Sequence, residues 1–391
     1  MKKLLSTVVL LLAGLCALAF DWQPKSNEAL FRDMIEFTNK FIEDAKGTKA
    51  EKMLVTFLQK EEGRFESDPY GWVAATYKMV AKLEGLYPPM VDDGSQEAMI
   101  RRDILRLVDY PIHVNATAKA ADNAQEQQAW LIGRDSYRAM ARKKALKWLG
   151  QKPPKPGELA IVKVYNMGFI FRTSERCFAI DLCFHGNRAE ALKFADKIDV
   201  MFLTHPHGDH YTKVFVDAMM DKGKTLFLPR DVVKDKSGDG KIISWDDVTE
   251  PLDVCGIKVR TFAGNQNRKD PASMPNNVYH LSFDGWTVEH SGDNSDKERE
   301  ARLCELPLPD VSIAASWNKI KITMDAIKKC ADYDKSKVVF IPSHENEFGH
   351  RVQQRESYWE DFNRKDRYAD SEYDYLRFEL MDIGESILLR K

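Results

Sequence analysis

Residues 204–210 read Thr204-His205-Pro206-His207-Gly208-Asp209-His210, directly after the apolar run 200–203. Three imidazoles and a carboxylate therefore fall within six positions at the exit of an expected strand. These are the donors that zinc and similar divalent cations take, and a turn can fold them onto one point. Strand ends are also where a rigid scaffold presents functional side chains. The plainer alternative, a histidine-rich surface loop, leaves the clustering without a cause.

A second pattern runs from Asp235 to Asp246. Asp235, Ser237, Asp239 and Asp246 place oxygen donors at positions one, three, five and twelve. Gly240 stands at six, Lys241 at seven would offer its backbone carbonyl, and Ile242 at eight is aliphatic. This is the layout of an EF-hand-like calcium loop, with Asp in place of Glu at twelve. No helix precedes it, since 225–228 reads as a strand, so an acidic glycine turn between two elements is an equal alternative.

The elements that must position these groups change character once. From 26 to 149 the spacing is helical: Leu30, Phe31, Met34, Ile35, Phe37, Phe41 and Ile42 recur at threes and fours, the mark of an amphipathic helix. Further helices are expected near 51–58, 72–83, 97–108 and 122–149. The last carries Trp130, Tyr137, Met140 and Trp148 among Arg and Lys, as a core-facing helix with a solvated basic face would. His113 stands alone there, and nothing before 150 groups ligands. Residues 150–158, GQKPPKPGE, cannot continue a helix and mark a linker. Beyond it short β-rich runs appear at 160–165, 168–172, 177–181, 200–204, 225–228, 257–262, 278–283, 286–290, 338–341 and 376–381. Helices are expected between them at 189–197, 213–222, 324–330 and 352–362. Such a mixture predicts a layered α/β (α+β) domain over 159–391, preceded by a helical accessory domain over 20–149.

With 58 Lys and Arg against 60 Asp and Glu, the chain has no global basic field, and nucleic acid is not an expected partner. A small-molecule substrate is; the oligomeric state is left open. Residues 1–19, with Lys2 and Lys3, an apolar stretch over 4–15 and Ala17-Leu18-Ala19, read as a cleavable signal peptide, which predicts a secreted or periplasmic protein. Cys16 follows the large Leu15, so lipid attachment ranks below cleavage. No later stretch reaches the roughly 18 apolar residues of a membrane span. The remaining cysteines, at 177, 183, 255, 304 and 330, are odd in number and irregularly spaced, which gives no disulfide framework.

The cluster and its surroundings resemble the metallo-β-lactamase fold superfamily, whose signature is HxHxDH. The resemblance covers about 159–391. It includes Phe178-Ala179-Ile180-Asp181 and the run 198–204 leading into the motif, Ser291-Gly292-Asp293 after 286–290, and Pro342-Ser343-His344 after 338–341. It implies an αββα sandwich with a metal site at one edge of two sheets. His205 and His207 would hold one zinc ion, Asp209, His210 and His344 a second, and Asp293 would bridge them. The implied activity is hydrolysis of an ester, lactone, lactam or phosphodiester by metal-activated water, with Asp209 also orienting that water. Alternatives are a lactonase or phosphodiesterase-like member with one tightly held ion, or a non-catalytic metal-binding scaffold that recognises a partner.

The sequence departs from the family at Ala263-Gly264-Asn265-Gln266-Asn267, where a further histidine is usual. An amide is a weaker ligand, so the first position should bind loosely. His280 lies inside an expected strand and reads as a sheet histidine, His290 as a supporting donor, and His185 as structural. Glu347 and His350, beside His344, would orient ligands or donate a proton; a solvated helix entry is the equal alternative for both.

Overall fold

The computed structural model describes residues 27–119, 124–229, 241–243, 248–266, 274–315, 319–334, 336–344, 358 and 377–391. Two sheets face each other. The first has seven strands in the order β15-β2-β3-β4-β5-β6-β7, from Ser386–Arg390, Glu158–Tyr165, Gly168–Arg172, Cys177–Ile180, Val200–Phe202, Thr225–Pro229 and Lys241–Ile243. The second has six in the order β13-β12-β11-β10-β9-β8, from Val339–Ser343, Val311–Ala315, Trp286–His290, Pro275–Phe283, Ile257–Asn265 and Val248–Val254. Side chains alternate across each sheet. Phe169, Phe171, Phe178 and Phe202 of the first sheet thus meet Val259, Tyr279, Leu281 and Val288 of the second in one buried core.

The opposite faces are covered by helices. Ala179, Met201 and Leu226 pack under α7 (Arg188–Ala195) and α8 (Lys213–Asp221), through Ala191, Phe194, Phe215 and Met219. On the far side Phe262 and Val278 pack against Leu303 of the short helical turn Ala301–Glu305 and against Ala326 and Ile327 of α10 (Lys319–Ile327). The layers are therefore α/β/β/α. Strands β4, β5 and β6 run parallel, so each connection must cross over, and both crossovers are helical.

The leading helices are α1 (Asn27–Asp44), α2 (Lys49–Glu61), α3 (Arg64–Ser67), α4 (Pro69–Leu86), α5 (Gln96–Lys119) and α6 (Ala124–Leu149). Their core, with Leu30, Met34, Phe41, Leu54 and Ile104, continues into Phe340, Phe378, Leu380 and Ile383 of the sandwich. Met90–Val91 (β1) pairs with Glu379–Leu380 (β14). Fully buried Arg101 of α5 donates to the Leu380 carbonyl at 3.1 Å and pairs with Glu385. Tyr137 of α6 donates to Asp382 at 2.7 Å, and Lys144 to Glu84 at 2.7 Å. Arg101→Ala would strand the Glu385 carboxylate without its cation. It is expected to cost about 3–5 kcal/mol in chemical denaturation; a loss below about 1 kcal/mol would show that the pair contributes little.

Strands β1, β7, β8, β12 and β15 are additions to the sequence reading. The segment VTEPLDV (β8) carries Pro251 and two acids, and sits at a sheet edge where an unpaired position tolerates them. The expected helix over 352–362 lies outside the described residues except for Tyr358, and residues 1–19 lie outside them entirely. Among the described residues no helix is long and apolar enough to cross a membrane.

Candidate metal centre

Strand β5 ends at Phe202, and its sheet bonding continues to Leu203, whose N–H donates to the Phe227 carbonyl. From there Asp181, at the end of β4, takes hold of the turn. Its carboxylate accepts from Thr204 N at 2.7 Å and from Thr204 Oγ1 at 2.6 Å, and lies 2.8 Å from His210 Nδ1. Since the Thr204 hydroxyl spends its proton on Asp181, it must accept from His205 Nδ1, 3.1 Å away. Both imidazoles are thereby fixed with Nδ1 as donor and Nε2 as the ligand atom, an arrangement typical of metal-binding histidines.

Those two Nε2 atoms are buried and, among the described residues, make no hydrogen bond of good geometry. Between them stands Asp293, with Oδ2 4.0 Å from His205 Nε2 and Oδ1 3.5 Å from His210 Nε2. His205, His210 and Asp293 form one group with metal-ligand spacing, and Asp209, His210 and His344 form a second. In the latter, Asp209 Oδ2 is 3.1 Å from His210 Nε2 and 3.2 Å from His344 Nε2. His344 Nε2 also lies 3.2 Å from Asp293 Oδ1, which joins the groups.

Backbone constraints place the later candidate ligands. Gly292 has φ +53°, and a Cβ there would lie 2.4 Å from Asn276 Oδ1 and 2.8 Å from Thr204. Glycine at 292 therefore lets the chain after β11 pass close to the motif, while Asn276 Oδ1 accepts from Asp293 N at 2.8 Å. His344 follows β13 with φ +76°, a conformation costly for a side-chain-bearing residue. Asn166, in the two-residue turn between β2 and β3, has φ +52° and donates to Asp209 Oδ2 at 2.6 Å.

Charge reinforces the geometry. Burial drives the His205 imidazole down to about 3, with His210 adding to the effect. Burial also opposes charge on His210, yet Asp209, Asp293 and Asp181 outweigh it and lift that ring to about 10. His344 is raised in the same way by Asp293 and Asp209. Burial would raise Asp209, but His210 and His344 hold it well below the ordinary carboxylate range. Carboxylates thus favour positive charge at the spot where these imidazoles converge, the setting that a divalent cation would meet.

His207 shares the turn, with its ring centroid 4.7 Å from that of His205. Its Nδ1 lies 3.0 Å from Gln266 Nε2, which also donates to Asp293 Oδ2 at 3.0 Å. Gln266 therefore occupies the region where the family's further histidine was expected. His290 is buried, with Nε2 3.0 Å from the Met167 carbonyl and Nδ1 accepting from Gly292 N; it braces the glycine turn. His280 lies on the opposite face of the second sheet, bonded to the Pro307 carbonyl at 2.9 Å. His185, read as structural, stands 2.9 Å from Cys183 Sγ, and that thiol donates to the Gly208 carbonyl of the motif. Glu347, His350, Asp235, Ser237, Asp239 and Asp246 lie outside the described residues. Lys241 opens β7, opposite Phe227. Sequence reasoning missed Asn166 and the supporting role of Asp181; only the acid closing β4 was a visible signal.

The architecture is metallo-β-lactamase-like. Its sheet order, its layers and the placement of the centre at successive strand ends carry that statement. No family model matches the chain, and no curated protein does. Among solved structures the chain is similar to Igni18, a metallo hydrolase from the archaeon Ignicoccus hospitalis, at 18% identity and a TM-score of 0.45, covering 60% of this chain and 99% of that one. It is similar to an isothiocyanate hydrolase from Delia radicum gut bacteria at 12% identity and a TM-score of 0.46, over 59% and 100% of the two chains. It is also similar to the metallo-β-lactamase fold protein YhfI of Bacillus subtilis at 13% and 0.40, over 59% and 99%.

Proposed function

We propose that the protein is a metal-dependent hydrolase of a small-molecule ester, lactone, lactam or phosphodiester. The observation that carries the reading is the convergence on the Asp293 carboxylate of two buried Nε2 atoms that make no hydrogen bond of good geometry among the described residues. His205, His207 and Asp293 would hold one ion; Asp209, His210 and His344, with Asp293 shared, would hold the other. The mixture of imidazole and carboxylate fits zinc. When bound, such a cation lowers the pKa of water and polarises the oxygen of the scissile group. Asp209 is the ligand side chain that reaches furthest toward solvent in its group, 16% exposed against 0–1% for His210 and His344. Its carboxylate, steadied by Asn166, is therefore placed to meet and orient an incoming water. Secretion is supported by the leader-like residues 1–19 alone.

Purified protein stripped with a chelator and dialysed against zinc should recover bound metal, and its thermal midpoint should rise as zinc increases. Mass action contributes about 2.7 kcal/mol at one hundred times the dissociation constant. Elemental analysis finding no metal after reconstitution would sink the proposal. A panel of chromogenic ester, lactam and phosphodiester substrates then selects the bond. Gln266 favours a second reading, in which one ion is held tightly and the other weakly.

A further inference from the structure

Asn294, the residue after the shared ligand, is 1% exposed and its amide is fully engaged. Its Oδ1 accepts from Asn265 N at 3.1 Å, at the end of β9 and one residue before Gln266. Its Nδ2 donates to Glu300 Oε2 at 2.6 Å, and Thr323 of α10 donates to the other oxygen of that carboxylate at 2.6 Å. Glu300 is itself fully buried in the short helix α9 (Lys297–Glu300). The backbone of β9 is adapted to the same contact. A Cβ at Gly264 would lie 2.3 Å from Asn294 Oδ1, so β9 carries a glycine where the amide must approach.

We infer that Asn294 is a positioning residue, anchored by Glu300, that straps the end of β9 to the segment after β11 and thereby sets the distance between Gln266 and Asp293. The inference rests on the metal reading of the centre. Ser295 laces the same two segments, its N–H donating to the Asn265 carbonyl at 2.8 Å and its hydroxyl to the Gln266 carbonyl at 2.7 Å. With the strap cut, the two segments are held by Ser295 and by the Gln266–Asp293 bond alone, and the position between His207 and Asp293 is less closely shaped. Partners that orient ligands in this manner are worth about 10–100-fold in metal affinity.

Zinc affinity by competition with a chromogenic chelator tests the strap, alongside the thermal midpoint. Asn294→Ala should weaken zinc binding by about 10–100-fold. Thr323→Val removes the other partner of Glu300 at the same depth without touching Asn294, and should lower the midpoint while leaving the affinity unchanged. Gly264→Ala displaces the amide without altering any polar group and should reproduce the loss if Asn294→Ala does not fold. Wild-type affinity in both strap variants, or affinity losses in all three variants that simply follow their midpoints, would overturn the inference. Wild-type protein that takes up no zinc would sink the metal reading instead. The strap is then judged by hydrogen exchange at the Asn265 amide, which Asn294→Ala should accelerate and Thr323→Val should not; equal rates would overturn it.

Discussion

Asp293→Ala should leave the centre unable to hold metal and reduce turnover to background. Every proposed ligand group leans on this carboxylate: its oxygens lie 4.0 Å from His205 Nε2, 3.5 Å from His210 Nε2 and 3.2 Å from His344 Nε2. Removing a supporting partner of a ligand costs about 10–100-fold in affinity, and removing the shared ligand itself should exceed that. The fold should survive, because the side chain stands at the strand ends and the sheet core lies below it. Metal per chain, measured with circular dichroism as the check on folding, decides the matter. A folded Asp293→Ala protein with a full metal complement would refute the shared role. Asp209→Ala is the informative companion, since it removes the more exposed carboxylate and should abolish turnover with Asp293 still present.

Gln266→His should convert an uneven pair of positions into an even one. In the wild type the Gln266 amide nitrogen stands 3.0 Å from both His207 Nδ1 and Asp293 Oδ2, bridging two of the atoms that would hold the first ion. It must turn away, or present its weaker oxygen, before a cation can settle there. Chelator titration of the wild type should therefore release metal in two unequal steps, or find close to one ion per chain. The histidine variant should strengthen the weak step on the order of 10–100-fold. Two equally tight ions in the wild type would contradict this. His280 could not be the compensating ligand, because it faces away from the centre and is engaged by Pro307.

Much of the sandwich was readable because its strands alternate or run apolar between turn signals, as 168–172 and 278–283 do. What escaped was of two kinds. Val311–Ala315 and Ser386–Arg390 are buried or edge strands whose Ala, Ser and Leu content carries little β preference, so only their neighbours in the sheet define them. Arg101 and Glu84 carry no local mark that separates them from solvated helix charges; Arg101 is buried against Leu380 and Glu385, and Glu84 meets Lys144 of another helix. In the centre, His205, His207, Asp209 and His210 announce themselves by spacing. Asp293 and His344 were found through the family resemblance, being distant in sequence. Asn166 carries no local signal: an asparagine in a hairpin turn is expected for its backbone alone, and its bond to Asp209 crosses 43 positions.

The pairing of Arg101 with Glu385 spans 284 positions of the chain. It lies beside β15, the strand that closes the edge of the first sheet by pairing with β2. Contacts of such separation carry a large loop-closure cost and form slowly. Without residues 379–390 the buried Arg101 would lack its anion and the β2 edge would lack its partner strand. That one segment satisfies both, so the helical segment and the sheet edge share a single set of closing contacts.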